Sequence, residues 1–256
     1  MRITRAVVPT LFTVLNMFCG FLSIVQTSEG KFDQAGWFIV LAGIFDVLDG
    51  VMARLTKSSS DFGVEIDSLS DVVSFGAAPA LLVYKLQLFQ MEGVGLIISS
   101  LLLIMGGIRL ARFNVQLVGY DKNYFTGLPI PASAIAVVTY YLTFRNSDFH
   151  LEGLAAQFLI PLVIVLSLLM VSKIKYDTLP KFSKKEIKKH PIRVISLLCA
   201  ALLVLFTKGE TIFYLFAAFI VFGILRSVVV SVRKMLGHEE LKTEAPDADE
   251  VTSYDL

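Results

Sequence analysis

The sequence is poor in the residues that would indicate a disulfide framework or a charged binding surface. It has two cysteines, Cys19 and Cys199, and both lie inside apolar runs, where a free cysteine behaves as a small hydrophobic residue. We therefore expect neither a disulfide nor a thiolate metal site. The net charge is only +1, and the charges are segregated along the chain, so nothing in the sequence predicts a nucleic-acid partner.

Long polar segments are also scarce. Hydrophobic residues make up 55% of the chain and the mean hydropathy is +0.71, far above the values of soluble domains, which predicts an integral membrane protein. The first apolar run, residues 7–26, follows two arginines but lacks the small-x-small pattern of a signal-peptide cleavage site, so we expect a retained spanning helix. Within it, Thr13 and Asn16 lie one turn apart. They either form hydrogen bonds between helices or take part in an active site.

Apolar runs near spanning length recur along the whole chain, and they predict an all-α, polytopic helical bundle with about eight transmembrane helices. The predicted spans are residues 7–26, 35–54, 63–86, 93–113, 132–144, 153–171, 192–207 and 211–232. We find no internal repeat and no soluble domain. Residues 1–236 are expected to form one transmembrane domain, and residues 237–256, with seven acids and one lysine, a disordered cytoplasmic tail.

The distribution of lysine and arginine predicts the orientation of the chain. Residues 173–193 contain seven lysines and one arginine against two acids, a net charge of +6. Basic loops stay on the cytoplasmic side, so this segment and, with eight spans, both termini are expected to be cytoplasmic. The lysine-rich segment either acts only as this topological signal or also attracts anionic lipid headgroups.

Four aspartates at helical spacings interrupt the apolar pattern between positions 46 and 71. The run reads Asp46-x-x-Asp49-Gly50-x-x-Ala53-Arg54 and, after eight residues, Gly63-x-x-x-Asp67-x-x-x-Asp71. On helices, the spacings i, i+3 and i, i+4 place each pair of aspartates on one face, and two antiparallel helices then present one four-carboxylate cluster on the cytoplasmic side. Such a cluster suits two Mg²⁺ or Mn²⁺ ions, which together act on the oxygens of a phosphoryl group.

The other motif positions fit the same chemistry. Gly50 and Ala53 allow a bulky substrate to approach the backbone, Gly63 does so on the second helix, and Arg54 has a guanidinium that suits phosphate. The alternative is that the acids occupy solvated helix ends. Eight fixed positions in so short a stretch make that alternative weak.

The eight positions are similar, without departure, to the signature of the CDP-alcohol phosphatidyltransferase family. These integral membrane enzymes move a phosphatidyl group from a CDP-linked lipid to an alcohol and release CMP. The resemblance implies the family's fold, a homodimer, two metal ions and a fourth aspartate that also acts as base. It assigns metal binding to Asp46, Asp49, Asp67 and Asp71, catalysis to Asp71, and CDP-lipid binding to Asp46, Asp49, Gly50, Ala53, Arg54, Gly63 and Asp67.

Further segments bear on the acceptor alcohol. Residues 16–20, 60–80, 109–114 and 125–132 are similar to those of bacterial and archaeal family members that use serine. The resemblance implies transfer from CDP-diacylglycerol to L-serine in a prokaryotic cell membrane. We expect the serine carboxylate to meet Arg109 and Arg112, which share a helix face, because guanidinium grips carboxylate bidentately. Asn114 and the backbone around Gly127 would add hydrogen bonds, whereas in the alternative both arginines only anchor a helix end.

Other functions stay open at this point. A relative of the same family would use glycerol phosphate, inositol phosphate or choline as acceptor. A divalent-cation transporter would use intramembrane acids as its pathway, but the far halves of the spans show almost no polar residues to continue one. A catalytically inactive lipid-binding relative is disfavoured because no motif aspartate is replaced.

Overall fold

The computed structural model describes residues 7–56, 60–117, 124–172, 174–177 and 212–235. Helices dominate these residues. Their bounds are α1 (Val7–Ser28), α2 (Phe32–Thr56), α3 (Asp61–Asp71), α4 (Ala78–Leu86), α5 (Glu92–Leu117), α6 (Ile130–Phe144), α7 (Gly153–Val171) and α8 (Ile212–Met235). A π-helical turn, Val72–Ala77, joins α3 to α4, and a 3-10 turn, Leu88–Met91, precedes α5.

Several helices are long and apolar enough to cross a membrane. Within the described ranges there are four such stretches, Val8–Ser28, Phe62–Leu86, Leu88–Val115 and Gly153–Val171, and two shorter apolar helices, Ile130–Phe144 and Phe213–Leu225. The prediction of an all-α, polytopic membrane protein is confirmed. The count of eight spans stays a prediction, because the span expected at residues 192–207 lies outside the described residues, as does the acidic tail.

Helix α6 lies at the centre of the bundle. Its residues are apolar or small almost throughout, most of them are buried, and it packs against α2, α7 and α8. Large side chains such as Ile39, Phe75 and Leu82 fill the surrounding core. On the outer helices, apolar side chains such as Phe18 and Trp37 are exposed, which is the arrangement of a surface that faces lipid.

Helix α3 continues into α4 without a loop. Pro79 has no N–H, so it cannot donate to the carbonyl of Phe75, and the chain widens into the π-helical turn just before it. At the end of this turn the N–H of Ala78 donates to the carbonyl of Val73, five residues back. The third predicted span is therefore one continuous helical stretch whose winding changes directly after Asp71.

Two three-residue strands form a ladder that the sequence did not predict. Strand β1 (Tyr124–Thr126) pairs antiparallel with β2 (Lys175–Asp177). Both strands lie between predicted spans, where loops were expected, and for these two strands that expectation is wrong. Strands this short show no recognisable alternation, and helices α6 and α7 separate the partners in sequence. The ladder ties the chain before α6 to the chain after α7.

An ion pair joins α2 to α6 at the end of α2 that is far from its aspartates. The Nε atom of Arg145 lies 2.6 Å from Oδ1 of Asp33, and its Nη2 donates to Oδ2 at 3.1 Å. The hydroxyl of Tyr141 lies 3.4 Å from the same carboxylate and donates to the carbonyl of Phe149 at 3.1 Å. The loop after α6 is thereby fixed against the start of α2.

Candidate active site

The aspartates of α2 and α3 come together in one cluster. Carboxylate oxygens of Asp46, Asp49 and Asp67 all lie within 4.8 Å of one another. Asp71, which is buried, is close enough to interact electrostatically with all three. The arrangement arises because α2 and α3 run antiparallel across a short connection, so the end of one helix faces the start of the next.

Helix α1 packs against both of these helices and supplies hydrogen-bond donors to the cluster. The hydroxyl of Thr13 lies 3.0 Å from Oδ2 of Asp49, and Nδ2 of Asn16 donates to Oδ1 of Asp71 at 3.4 Å. Both α1 side chains are buried. Of the two roles that the sequence left open for them, hydrogen bonding between helices is observed, and the partners are motif aspartates.

The backbone of α1 is fixed at the same two residues. The hydroxyl of Ser70 donates to the carbonyl of Thr13 at 3.1 Å, and that of Ser74 donates to the carbonyl of Asn16 at 2.9 Å. A side chain at Gly20 would clash with Ser74, including its backbone. The absence of a side chain there lets α1 lie directly against the π-helical turn.

The small residues of the motif border open space beside the cluster. A Cβ atom at Gly50 would meet only Nη1 of Arg54, at 3.9 Å. Ala53 is half-buried, whereas Arg54 is exposed and forms no ion pair with any residue that the structure describes. These three residues recur at i, i+3 and i+4, so they share one face of α2.

Gly63 takes part in the N-terminal cap of α3, a role that was not predicted from the sequence. Ser60 is the N-cap of α3, and its Oγ accepts a hydrogen bond from the N–H of Gly63 at 3.0 Å. A Cβ atom on Gly63 would come within 3.1 Å of that oxygen. The cap fixes the start of the helix that carries Asp67 and Asp71.

The residues predicted to bind the substrate serine lie at the same end of the bundle as the aspartate cluster, but in different environments. Arg109 is buried, and its guanidinium interacts electrostatically with Asp71. Arg112 is exposed, and its Nη1 donates to the carbonyl of Val171 at 2.9 Å. The amide of Asn114 donates to Oγ of Ser68, the neighbour of Asp67, at 2.9 Å.

Gly127 is buried where the chain enters α6. Its φ of +83° is in the left-handed region, and a Cβ atom there would strike the carbonyl oxygen of Met170, so both the conformation and the packing require glycine. Its N–H donates to the carbonyl of Ile174 at 2.8 Å. Among the residues predicted to bind serine, Arg109 is thus the one whose guanidinium interacts electrostatically with a motif aspartate.

The serines that fix α1 were not predicted. Ser70 and Ser74 are fully buried in a helical stretch, whereas serine is usually exposed, and this burial is visible only in the structure. Ser70 and Ser74 are four residues apart with Asp71 between them, and Thr13 and Asn16 are three residues apart on α1, so each pair spans about one helical turn. Such one-turn spacings become informative only when the pairing of the two helices is known.

The donor set fits a divalent cation. Hard cations such as these require oxygen ligands, and the cluster offers carboxylate oxygens from three residues within a single small volume. In addition, Oδ1 of Asp67 is buried with no hydrogen-bond partner among the described residues. An unpaired buried carboxylate oxygen is unfavourable unless a cation or donor neutralises it.

These observations define a class of protein: a polytopic helical membrane protein with a carboxylate site, at the junction of two antiparallel helices, that suits hard divalent cations. The family model for CDP-alcohol phosphatidyltransferase matches residues 6–170, which is more than half of the chain. The chain belongs to the CDP-alcohol phosphatidyltransferase family, whose members generally use divalent metals.

Relatives from bacteria and archaea match this chain over most of its length. It is 37% identical over 226 residues to a CDP-diacylglycerol–serine O-phosphatidyltransferase of Helicobacter pylori, covering 88% of this chain and 92% of that protein. It is 31% identical to a Bacillus subtilis protein of the same name, covering 71% of this chain and 96% of that protein. An archaetidylserine synthase of Methanothermobacter thermautotrophicus is 42% identical, over 66% of this chain and 68% of that protein.

Proposed function

We propose that this protein transfers the phosphatidyl group of CDP-diacylglycerol to the hydroxyl of L-serine, giving phosphatidylserine and CMP. The observation that carries the proposal is the match to the Helicobacter pylori serine enzyme, which spans nearly the whole of both chains. The clustered aspartates support the same reaction, because transfer from a diphosphate needs a site for cations beside the reacting phosphorus.

The proposed metal ligands are Asp46, Asp49, Asp67 and Asp71, holding two ions of Mg²⁺ or Mn²⁺. When bound, such ions neutralise the charge of the diphosphate and polarise its phosphoryl oxygens. The protein's own contribution is to hold the carboxylates close together where α2 and α3 face each other. The bonds from Thr13 to Asp49 and from Asn16 to Asp71 restrict the orientation of two of these side chains.

The proposed site for the CDP moiety is the face of α2 next to the cluster, continued by Gly63 at the start of α3. The open space beside Gly50 and the small side chain of Ala53 admit the nucleotide close to the backbone, and the exposed guanidinium of Arg54 binds phosphate. The acyl chains of the substrate stay in the bilayer, where they contact the exposed apolar side chains of the surrounding helices.

The proposed chemical step is a single direct displacement. Asp71 accepts the proton of the serine hydroxyl, whose oxygen forms a bond to the phosphorus that bears diacylglycerol. The bond from this phosphorus to the oxygen of CMP breaks, and CMP leaves with that electron pair. A serine hydroxyl is a poor nucleophile at neutral pH, which is why a base within hydrogen-bond reach is required.

The proposed acceptor site comprises Arg109, Arg112, Asn114 and Gly127. Arg109 has the best support, because it is buried, its guanidinium interacts electrostatically with Asp71, and a guanidinium is suited to grip the serine carboxylate. The positive charge of Arg109 also shields the serine carboxylate from the negatively charged aspartates. The ammonium group of serine is attracted by these aspartates.

The proposed setting is the cell membrane of a prokaryote, with the active site and both termini on the cytoplasmic side and with the protein as a homodimer. The net charge of +6 over residues 173–193 supports this orientation. Membrane lipids, CDP-diacylglycerol and L-serine are the proposed partners. No feature of the sequence supports a nucleic-acid partner.

The test is to incubate the purified protein with CDP-diacylglycerol, Mn²⁺ and separate alcohols, and to identify the lipid product by mass spectrometry. We expect a lipid product, phosphatidylserine, only in the incubation that contains serine. A product only with glycerol phosphate, inositol phosphate or choline would assign a different acceptor. CMP-independent Mn²⁺ flux into sealed vesicles, without any lipid product, would favour the transporter alternative.

A further inference from the structure

Two buried polar side chains of α1 contact the aspartate cluster, yet neither belongs to the motif. We propose that Thr13 and Asn16 are positioning residues: Thr13 orients the carboxylate of Asp49, and Asn16 orients the carboxylate of Asp71. The inference deepens the proposed function and rests on it, because it takes Asp49 as a metal ligand and Asp71 as ligand and base.

The geometry of each contact supports this role. The hydroxyl proton of Thr13 has two acceptors in reach, the carbonyl of Pro9 at 3.2 Å and Oδ2 of Asp49 at 3.0 Å. The carboxylate carries the charge, so it is the stronger acceptor. On Asn16, the Nδ2 donor faces Asp71, as an ionised carboxylate requires.

Packing alone does not explain asparagine at position 16. Its Oδ1 is buried and has no hydrogen-bond partner among the described residues, which is unfavourable in an apolar interior. A leucine has the same branched side-chain shape and would leave no buried acceptor unpaired. The feature that leucine lacks is the N–H that reaches Asp71.

The two donors are also held in register with the aspartates. The hydroxyls of Ser70 and Ser74 bind the backbone carbonyls of Thr13 and Asn16 themselves, so α1 is fixed at those two residues. Any shift of α1 along its axis would break both backbone contacts and both contacts to the aspartates. Helix α1 therefore acts as a rigid support behind the site.

The role of Thr13 is tested by titrating the full-length protein in detergent with Mn²⁺ and measuring free Mn²⁺ by electron paramagnetic resonance. Thr13→Val keeps the shape but loses the donor, and we expect at least about tenfold weaker binding, since hydrogen bonds to charged groups have that magnitude. Thr13→Ser keeps the hydroxyl and should restore binding. Thr27→Val is the matched control, because Thr27 is buried on the same helix and its hydroxyl has no partner among the described residues.

The role of Asn16 is tested with Asn16→Ala against the control Ser23→Ala, another buried polar side chain of α1. We expect weaker Mn²⁺ binding and, at saturating Mn²⁺, a kcat lowered at least about tenfold, with the KM for CDP-diacylglycerol changed less than about twofold. Asn16→Asp, which has the same size but cannot donate when ionised, should lose turnover as well. The unfolding midpoints of Asn16→Ala and Ser23→Ala should agree.

Three results would overturn the inference. The first is that Thr13→Val and Asn16→Ala behave like their controls. The second is that Thr13→Ser fails to restore Mn²⁺ binding, and the third is that Mn²⁺ affinity and turnover fall only in proportion to thermal stability. The Mn²⁺ titration does not depend on the acceptor alcohol, so a protein that makes no phosphatidylserine would refute the proposed function while the titration still decides this inference.

Discussion

At the residue scale, Asp71 has the most demanding role, because it is both buried in the cluster and the proposed base. We expect Asp71→Asn to lower kcat by about 10²–10⁴-fold, the usual contribution of general base catalysis, while CDP-diacylglycerol still binds. Turnover measured as CMP release and lipid binding measured separately would show this split. Retention of configuration at phosphorus, or a trapped phosphatidyl-enzyme, would contradict the direct displacement and indicate a covalent two-step route.

The other three aspartates predict a strict requirement for a divalent cation. Excess EDTA should abolish CMP release, and added Mg²⁺ or Mn²⁺ should restore it. Replacing Asp46, Asp49 or Asp67 by asparagine should weaken Mn²⁺ binding and lower turnover together, because each offers one oxygen to the same small volume. Full activity in EDTA after removal of bound metal would refute the metal site.

The two arginines of α5 distinguish an acceptor site from a structural anchor. Lysine cannot grip a carboxylate with two parallel bonds, so Arg109→Lys should raise the KM for serine by about tenfold or more and leave the KM for CDP-diacylglycerol nearly unchanged. Arg112→Lys should act in the same direction if Arg112 also contacts serine. Steady-state kinetics with each substrate varied measure both values, and an unchanged serine KM in both variants would exclude these residues from the acceptor site.

The acidic residues could be predicted from sequence because charge in an apolar chain is conspicuous and helical spacing places the aspartates on shared faces. Their supporting residues could not. Ser70 and Ser74 act on carbonyl groups of α1, and a sequence gives no signal of which backbone groups face which side chains. Arg112 likewise donates to a carbonyl group at the end of α7, and the residues next to Arg112 in the sequence give no indication of this contact.

At the scale of elements, the ion pair between Asp33 and Arg145 fixes α2 relative to α6. Both side chains are mostly shielded, with 28% and 27% of their surface exposed, so the pair should contribute more than a surface pair does. Asp33→Ala is expected to lower the free energy of unfolding by about 1–3 kcal/mol, because it leaves the guanidinium without its carboxylate partner. Glu29→Ala, which removes the exposed pair with Lys31, is the matched control and should change the unfolding midpoint in detergent little.

The helices themselves were predictable because an apolar run of spanning length can satisfy its backbone hydrogen bonds inside a membrane only as a helix or in a closed barrel. Predicted ends agree with the structure to within a few residues for α1, α2, α5, α6 and α7, whose flanking loops carry the polar residues. The π-helical turn was not predicted, since a proline within a helical run indicates a break or kink and not the local widening that this chain adopts at Pro79. The β1–β2 ladder was missed because its strands meet only after two intervening helices have folded back.

At the scale of the whole molecule, the distribution of basic residues predicts which side of the membrane bears the site. The test uses a variant in which Cys19 and Cys199 are replaced by alanine. In it, Lys31→Cys places an exposed thiol just before α2, far from the aspartates, and Glu65→Cys places one in α3, close to Asp67. In intact cells, a membrane-impermeant maleimide should label the thiol at position 31 and should label that at position 65 only after permeabilisation. The reverse pattern would place the aspartates outside.

The order of the helices along the chain has a consequence for the synthesis of the protein. All four carboxylates, together with their donors Thr13 and Asn16, are translated before Arg109, the buried cation that interacts with Asp71. When α1 to α4 have been translated, the acidic helical hairpin therefore enters the membrane before Arg109 has been made. Until α5 is inserted, the proposed divalent cation would neutralise that hairpin. Metal supply is therefore expected to influence how efficiently the nascent chain is assembled as well as how fast the finished protein works.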